Sequence, residues 1–223
     1  MRAFWVRYRW AVLGVVAVGV IVAYVLTRAG GDDAVEIRGE LGPTPGPDAS
    51  GYIAEKTAFL ERVAAQDPSH EAAGLVSLAK LLPPTDLAAL VGGRIDLVFT
   101  SFPGEDPGAL AVTGTVDVTV GARAAELATA RDSEVAALEE QAAASEGEER
   151  QRRLRAAAQK QAEATALRGT CPCVYAFAVS GVTLADLAVL LEHADVRFVD
   201  VADPVVADLR GWELRPLLPP DPS

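Results

Sequence analysis

CVYAFAVSGVTLADLAVLLEHADVRFVDV, residues 173–201, changes its periodicity twice. It opens on an apolar run, VYAFAVS, and breaks at Ser180-Gly181. After Thr183, a residue able to cap a helix, comes Leu-Ala-Asp-Leu-Ala. It closes on VRFVDV, rich in branched and aromatic side chains. Strand, helix, strand is the reading of that order. Residues 74–101, GLVSLAKLLPPTDLAALVGGRIDLVFTS, repeat it. VSLAKLL is followed by a break at Pro83-Pro84, then Thr85, an identical Asp-Leu-Ala at 86–88, and IDLVF. Each copy is a βαβ-like unit with a short helix.

Two arrangements follow. Either the strands of one unit share a sheet through a right-handed crossover, or they lie apart with another strand between them, as in ferredoxin-like sandwiches. Residues 109–120, ALAVTGTVDVTV, alternate and predict a further strand. The expected class is α/β, with α+β open: a mixed-sheet sandwich of two βαβ-like units. Ahead of it, YIAEKTAFLERVAAQ sets Ile53, Phe59, Leu60 and Val63 on one helical face. Ser50 or Asp48 is placed to cap that helix, and Asp67-Pro68 to stop it.

The segment between the copies has another character. It is rich in Ala, Glu, Gln and Arg, all strong helix formers. Gly147 interrupts it, Ser145 and Glu148 resemble a capping box, and Gly169 ends it. The prediction is a helical hairpin over 122–168, with arms 122–144 and 146–168, related in pattern to a coiled coil. Its apolar stripe is thin: Leu127, Val135 and Leu138 on one arm, Leu154 and Leu167 on the other. Arg150 and Arg153 stand among the charges of the second arm. Alanine permits close approach but buries little area, so the hairpin is expected to lie on the sheet, on a second copy or on another protein. The candidate interaction surface is Leu127, Val135, Leu138, Leu154, Arg150 and Arg153.

The amino end sets the expected location. No residue between Arg9 and Arg28 is charged, a run that nearly matches a hydrocarbon layer of ~30 Å. Trp5, Tyr8, Trp10 and Tyr24 suit the interfaces. Arg2, Arg7 and Arg9 precede the run and only Arg28 follows, which directs the amino end to the cytoplasm. The expectation is a short cytoplasmic segment 1–10, a single-pass transmembrane helix 11–27 and a flexible linker 28–50. An extracytoplasmic domain 51–218 and a disordered tail 219–223 complete the cell-membrane protein. A cleaved signal peptide is the alternative, but no Ala-x-Ala-type site stands out. In the tail, Trp212, Leu214, Leu217 and Leu218 suggest a docked segment, or a docking peptide for a partner.

Charge narrows the partners. Of 20 basic and 31 acidic residues, all the acids and only 16 of the bases come after residue 28. So acidic a surface repels nucleic acid. The expected partners are the membrane and a protein, whether a second copy or another chain.

Chemistry is sparse. The two cysteines, Cys171 and Cys173, flank Pro172 at the mouth of the second unit. In an extended strand, positions i and i+2 stand about 6.6 Å apart, whereas a disulfide needs Cβ atoms about 3.8 Å apart. Three readings stay open: a structural pair (a local disulfide or two packed thiols), an exchange-active dithiol, or a soft-metal site completed by His70, His193 or a cofactor. There is no phosphate loop, no nucleophile elbow and no triad motif. Asp86 and Asp186 recur early in their helices, where carboxylates meet the helix dipole favourably. Asp200 is an acid on the last strand. No catalytic residue, cofactor or metal is assigned. The expected function is a membrane-anchored interaction module of the cell envelope. The alternatives are an envelope thiol-disulfide protein using Cys171 and Cys173, and a small-ligand sensor using the cleft beside the repeated strands.

Overall fold

The computed structural model describes residues 39–43 and 49–218. In it the two apolar runs become β2 (Glu71–Leu82) and β5 (Val174–Thr183), which pair antiparallel near the centre of a five-stranded sheet. β3 (Arg94–Thr100) pairs with the other edge of β5, and β6 (Val196–Val201) with the other edge of β2. The short β4 (Gly108–Ala111) closes the β3 side, giving the order β4-β3-β5-β2-β6. All four pairings are antiparallel.

Each βαβ-like unit is therefore split. β2 and β3, joined by α2 (Pro84–Leu90), have β5 between them. β5 and β6, joined by α5 (Leu184–Leu191), have β2 between them. This is the interleaving of the ferredoxin-like order. The expected mixed sheet is corrected to an antiparallel one, because no two strands of one unit are neighbours. Burial supplies the reason. Seven successive residues of β2, Ala72–Leu78, are buried, as is Val174–Ser180 of β5. A run buried on both pleat faces belongs at the middle of a covered sheet.

On one face lies the main core. It takes Leu60 and Ala64 from α1 (Ala49–Gln66), Leu87 from α2, and Leu184, Leu187 and Leu190 from α5, against Val76, Phe177 and Val199 of the sheet. The other face is covered by a ribbon of β1 (Gly39–Leu41) and β7 (Trp212–Leu214), paired parallel. Leu41 packs there with Leu75, Phe99 and Tyr175. Leu217 is buried and Leu218 exposed.

The repeat is less regular in detail than in sequence. Thr183 caps α5: its hydroxyl accepts from the Asp186 N–H, and Asp186 accepts from the Thr183 N–H. The Thr183 N–H and hydroxyl, both donating to the Asp186 carboxylate, lower its pKa. Thr85 caps nothing; α2 begins at Pro84, with Pro83 at the cap position and no side-chain cap bond.

Two further expectations change. The alternating stretch 109–120 divides into β4 and the start of α3 (Val116–Ala143). Gly114 turns the chain at φ +85°, and Thr119 Oγ1 accepts from the Thr113 N–H. Val116 and Val120 obey both a two-residue and a four-residue spacing, and Val120 is buried as a helical residue. Residues 39–41, inside the stretch read as linker, form β1. α1 starts at Ala49, so Ser50 lies within its first turn. The expected cytoplasmic segment, membrane helix, Asp48 cap and final tail lie outside the described residues. Among the described residues no helix is long and apolar enough to cross a membrane.

Candidate functional site

α3 and α4 (Gly147–Arg168) form the expected hairpin, starting earlier than the 122 read from sequence. Their 28 and 22 residues correspond to about 42 and 33 Å of helix. The lower part of the hairpin belongs to the main core: Val120, Ala124, Leu127 and Ala128 of α3, and Leu167 of α4, pack against the sheet side.

Arg131 marks the top of that region. Its guanidinium is 8 % exposed and gathers three carboxylates: Glu105 at 2.6 Å, Glu134 at 2.8 Å and Glu163 at 2.9 Å. It also donates to the Gly104 carbonyl at 2.7 Å, which ties the 102–107 loop to both arms. Nε approaches Glu163 as an ion without hydrogen-bond alignment. Burial opposes the charge on Arg131, but the three glutamates outweigh it and raise the pKa. Burial likewise opposes the charge on Glu163. Lys160, Gln159 and Arg131 outweigh that, and its pKa falls. Gly104 is required there, since φ is +74° and a Cβ would come within 2.5 Å of a Glu163 oxygen.

Above Arg131 the arms pack only on each other. Their buried side chains are Val135 and Ala142 of α3 and Ala157 of α4, none in the main core. Lys160 bridges Glu134 and Glu163; Arg153 pairs with Glu149 and donates to Gln141. The residues of the candidate surface lie in different settings. Leu127 and Val135 are buried within the chain, the first by the core and the second by the facing arm. Leu138 and Arg153 are half-buried, while Leu154 and Arg150 are exposed.

Cys171 and Cys173 follow the foot of α4. Both are free thiols inside the main core. The Cys173 thiol donates to the Cys171 carbonyl at 3.4 Å. The contact with Cys171 and burial push the Cys173 pKa far up, while the same contact lowers that of Cys171. Arg168, the basic residue next in sequence, is engaged by Asp132. His70 stands 3.4 Å from Asp67, and His193 Nδ1 accepts from the Asp195 N–H. Among the described residues no three His, Cys, Asp or Glu side chains are grouped to hold a metal.

Among the described residues Asp200 is the most buried acid, 0 % exposed. Its Oδ2 accepts from the Gly42 N–H at 2.7 Å and from Tyr52 at 2.5 Å; Lys56 Nζ is 3.6 Å from Oδ1, which has no hydrogen bond. Burial raises the Asp200 pKa although Tyr52, Gly42 and Lys56 all act to lower it. Burial and Asp200 together raise that of Tyr52. The carboxylate joins β6, α1 and the turn after β1. Sequence reasoning singled out Asp200 but missed Tyr52 and Lys56, whose signal is an i,i+4 spacing on α1.

A groove of about 540 Å³ lies between β3, β5 and the β7 segment. Leu97, Phe99, Ala178 and Trp212 line it, with Arg94 and Asp96 among its polar groups. Asp96 lies at a bulge opposite β5, where it accepts from Arg94 Nε at 2.6 Å and from Ser180. Ser180 thus meets a carboxylate rather than an imidazole, which gives no base relay of the triad kind. Comparison with protein-family models, with characterised proteins and with solved structures finds no match for this chain.

Proposed function

We propose that this chain is a membrane-anchored interaction module whose contact surface is the distal half of the hairpin. One observation carries the reading: above Arg131 two helical arms continue with only Val135, Ala142 and Ala157 buried between them. A sheet of this size is already covered by α1, α2, α5 and the hairpin foot. The extension adds exposed surface rather than core, as a presenting arm does. The uncharged run after Arg9 and the arginines before it support an anchor with the domain on the extracytoplasmic side of a cell envelope. A reporter active only in the cytoplasm, fused after Ser223, is expected to be silent; an active fusion sinks that orientation.

The hairpin foot is core, so excising 122–168 would remove Leu127 and Leu167 from it. The informative change replaces residues 136–156 by a short Gly-Ser loop. The shortened chain is expected to keep a cooperative melt, with its helical signal reduced only by the residues removed, and to lose its crosslinks in native membranes. Unchanged crosslinks would place the contact elsewhere.

The groove beside Trp212 favours a second reading, a small-ligand sensor. Its volume and largely apolar lining fall within the range of ligand pockets. A Leu97→Trp change that fills the groove without altering any membrane crosslink or downstream response would count against it.

A further inference from the structure

We infer that the distal half of the hairpin docks on a second copy of this chain, with α3 of one copy against α4 of the other. This rests on the interaction reading above and names the partner. The arms carry opposite charge: α3 has six acidic and two basic residues, α4 three acidic and six basic. Near the foot these charges are matched within the chain, through Arg131, Lys160 and the Arg168–Asp132 pair. Towards the tip Glu149 still pairs with Arg152 and Arg153, but other charges go unmatched. Among the described residues, Glu139 and Glu140 of α3 and Arg150 and Arg155 of α4 are exposed and have no ion-pair partner.

A hairpin with an unmatched acidic arm and an unmatched basic arm is complementary to itself. A two-fold axis along the hairpin brings the α3 of each copy onto the α4 of the other, antiparallel, and satisfies both sets at once. Arg150 and Leu154 fall on one stripe of α4. Leu154, 39 % exposed, supplies an apolar centre for that face. A wholly apolar partner would leave the four charges unmatched, and a nucleic acid would meet Glu139 and Glu140. The charges set register and partner choice, as in paired helices generally.

The test uses full-length chains carrying two different tags, co-expressed and purified from membranes. Wild-type copies are expected to co-purify. E139R/E140R alone sets base against base, and R150E/R155E alone sets acid against acid; each is expected to lower co-purification at least about tenfold. Co-expressing the two variants restores opposite charges at both contacts and is expected to restore co-purification. Melting by circular dichroism should stay unchanged, because all four side chains are exposed. Retained co-purification in the single variants, or no rescue in the mixture, overturns the inference. If wild-type copies never co-purify but a crosslink to a different protein disappears in E139R/E140R, the second-copy inference falls and the interaction reading stands. If the 136–156 replacement changes no crosslink of any kind, both fall.

Discussion

Leu127 and Leu154 sit on opposite arms of one hairpin and meet different surroundings: the first is 6 % exposed, the second 39 %. Below Arg131 the arms are part of the domain, with Val120, Leu127 and Leu167 in the main core. Above it, alanines and one valine are all that the arms bury between them. The same Ala, Glu and Arg composition thus serves two ends. Where a sheet lies beneath, hydrophobic burial holds the helices. Where none does, close backbone approach and charge pairs hold them, and exposed pairs contribute only about 0–1 kcal/mol each. The boundary is a buried cation with three anions around it.

The sharpest way to break this comparison is Arg131→Met. It removes the cation that Glu105, Glu134 and Glu163 share, leaving Glu163 with Lys160 and Gln159, and it releases the 102–107 loop. The expected loss is about 3–5 kcal/mol by urea unfolding, the range for breaking a buried pair on one side. A loss below about 1 kcal/mol would show that packing alone fixes the foot. Next in size, Leu127→Ala is expected to cost about 2–4 kcal/mol. Leu154→Ala is expected to stay within about 0.5 kcal/mol in stability while weakening co-purification. Equal costs at the two leucines would erase the distinction between the halves.

The smallest effect concerns the other buried charge. Arg131 is matched by partners that outweigh its burial, whereas Asp200 has one unbonded oxygen and a raised pKa. A folded-state pKa above the unfolded value of about 4 means that the fold binds the proton more tightly than the open chain. Asp200 therefore contributes most below that pH, and its contribution shrinks as pH rises through the raised value. Asp200→Asn keeps an acceptor for Tyr52 and removes the titration. The stability difference, Asn variant minus wild type, is expected to grow in favour of the variant as pH rises from about 4. A pH-independent difference in urea melts would contradict the raised pKa.

Much of this architecture is legible in the sequence. β6 runs over the residues VRFVDV quoted for it, α1 ends just before Asp67-Pro68, and α4 ends at Arg168, before Gly169. These elements have strong local signals: a branched run, a proline stop and a glycine stop. Strand order is not local, and the fully buried runs of β2 and β5 hinted at central strands without saying which strand lies between which. VDVTV was ambiguous because five residues do not separate two-residue from four-residue spacing. The Arg131 centre was hidden for another reason. Residues 105, 131, 134 and 163 meet only once the hairpin has closed, and arginine in an Ala-Glu-Arg helix carries no mark of burial. The ribbon at the start was missed because Gly39 and Gly42 read as linker. In the structure a Cβ at Gly39 would meet the Trp212 ring at 2.5 Å, and one at Gly42 would overlap the Arg215 carbonyl.

That ribbon has a mechanical meaning. β1 and β7 run side by side in register, Gly39 with Trp212 and Leu41 with Leu214, and the Arg215 N–H donates to the Leu41 carbonyl at 2.6 Å. Tension arriving along the chain ahead of Gly39 meets this three-residue clasp before it meets any strand of the large sheet. A two-stranded ribbon is marginal on its own, so it yields first. The Gly42 N–H held by Asp200 then acts as a second catch before α1 feels the pull. Extension of a few residues ahead of Gly39 can thus be absorbed in steps, and β2, β5 and the hairpin foot keep their packing while it happens.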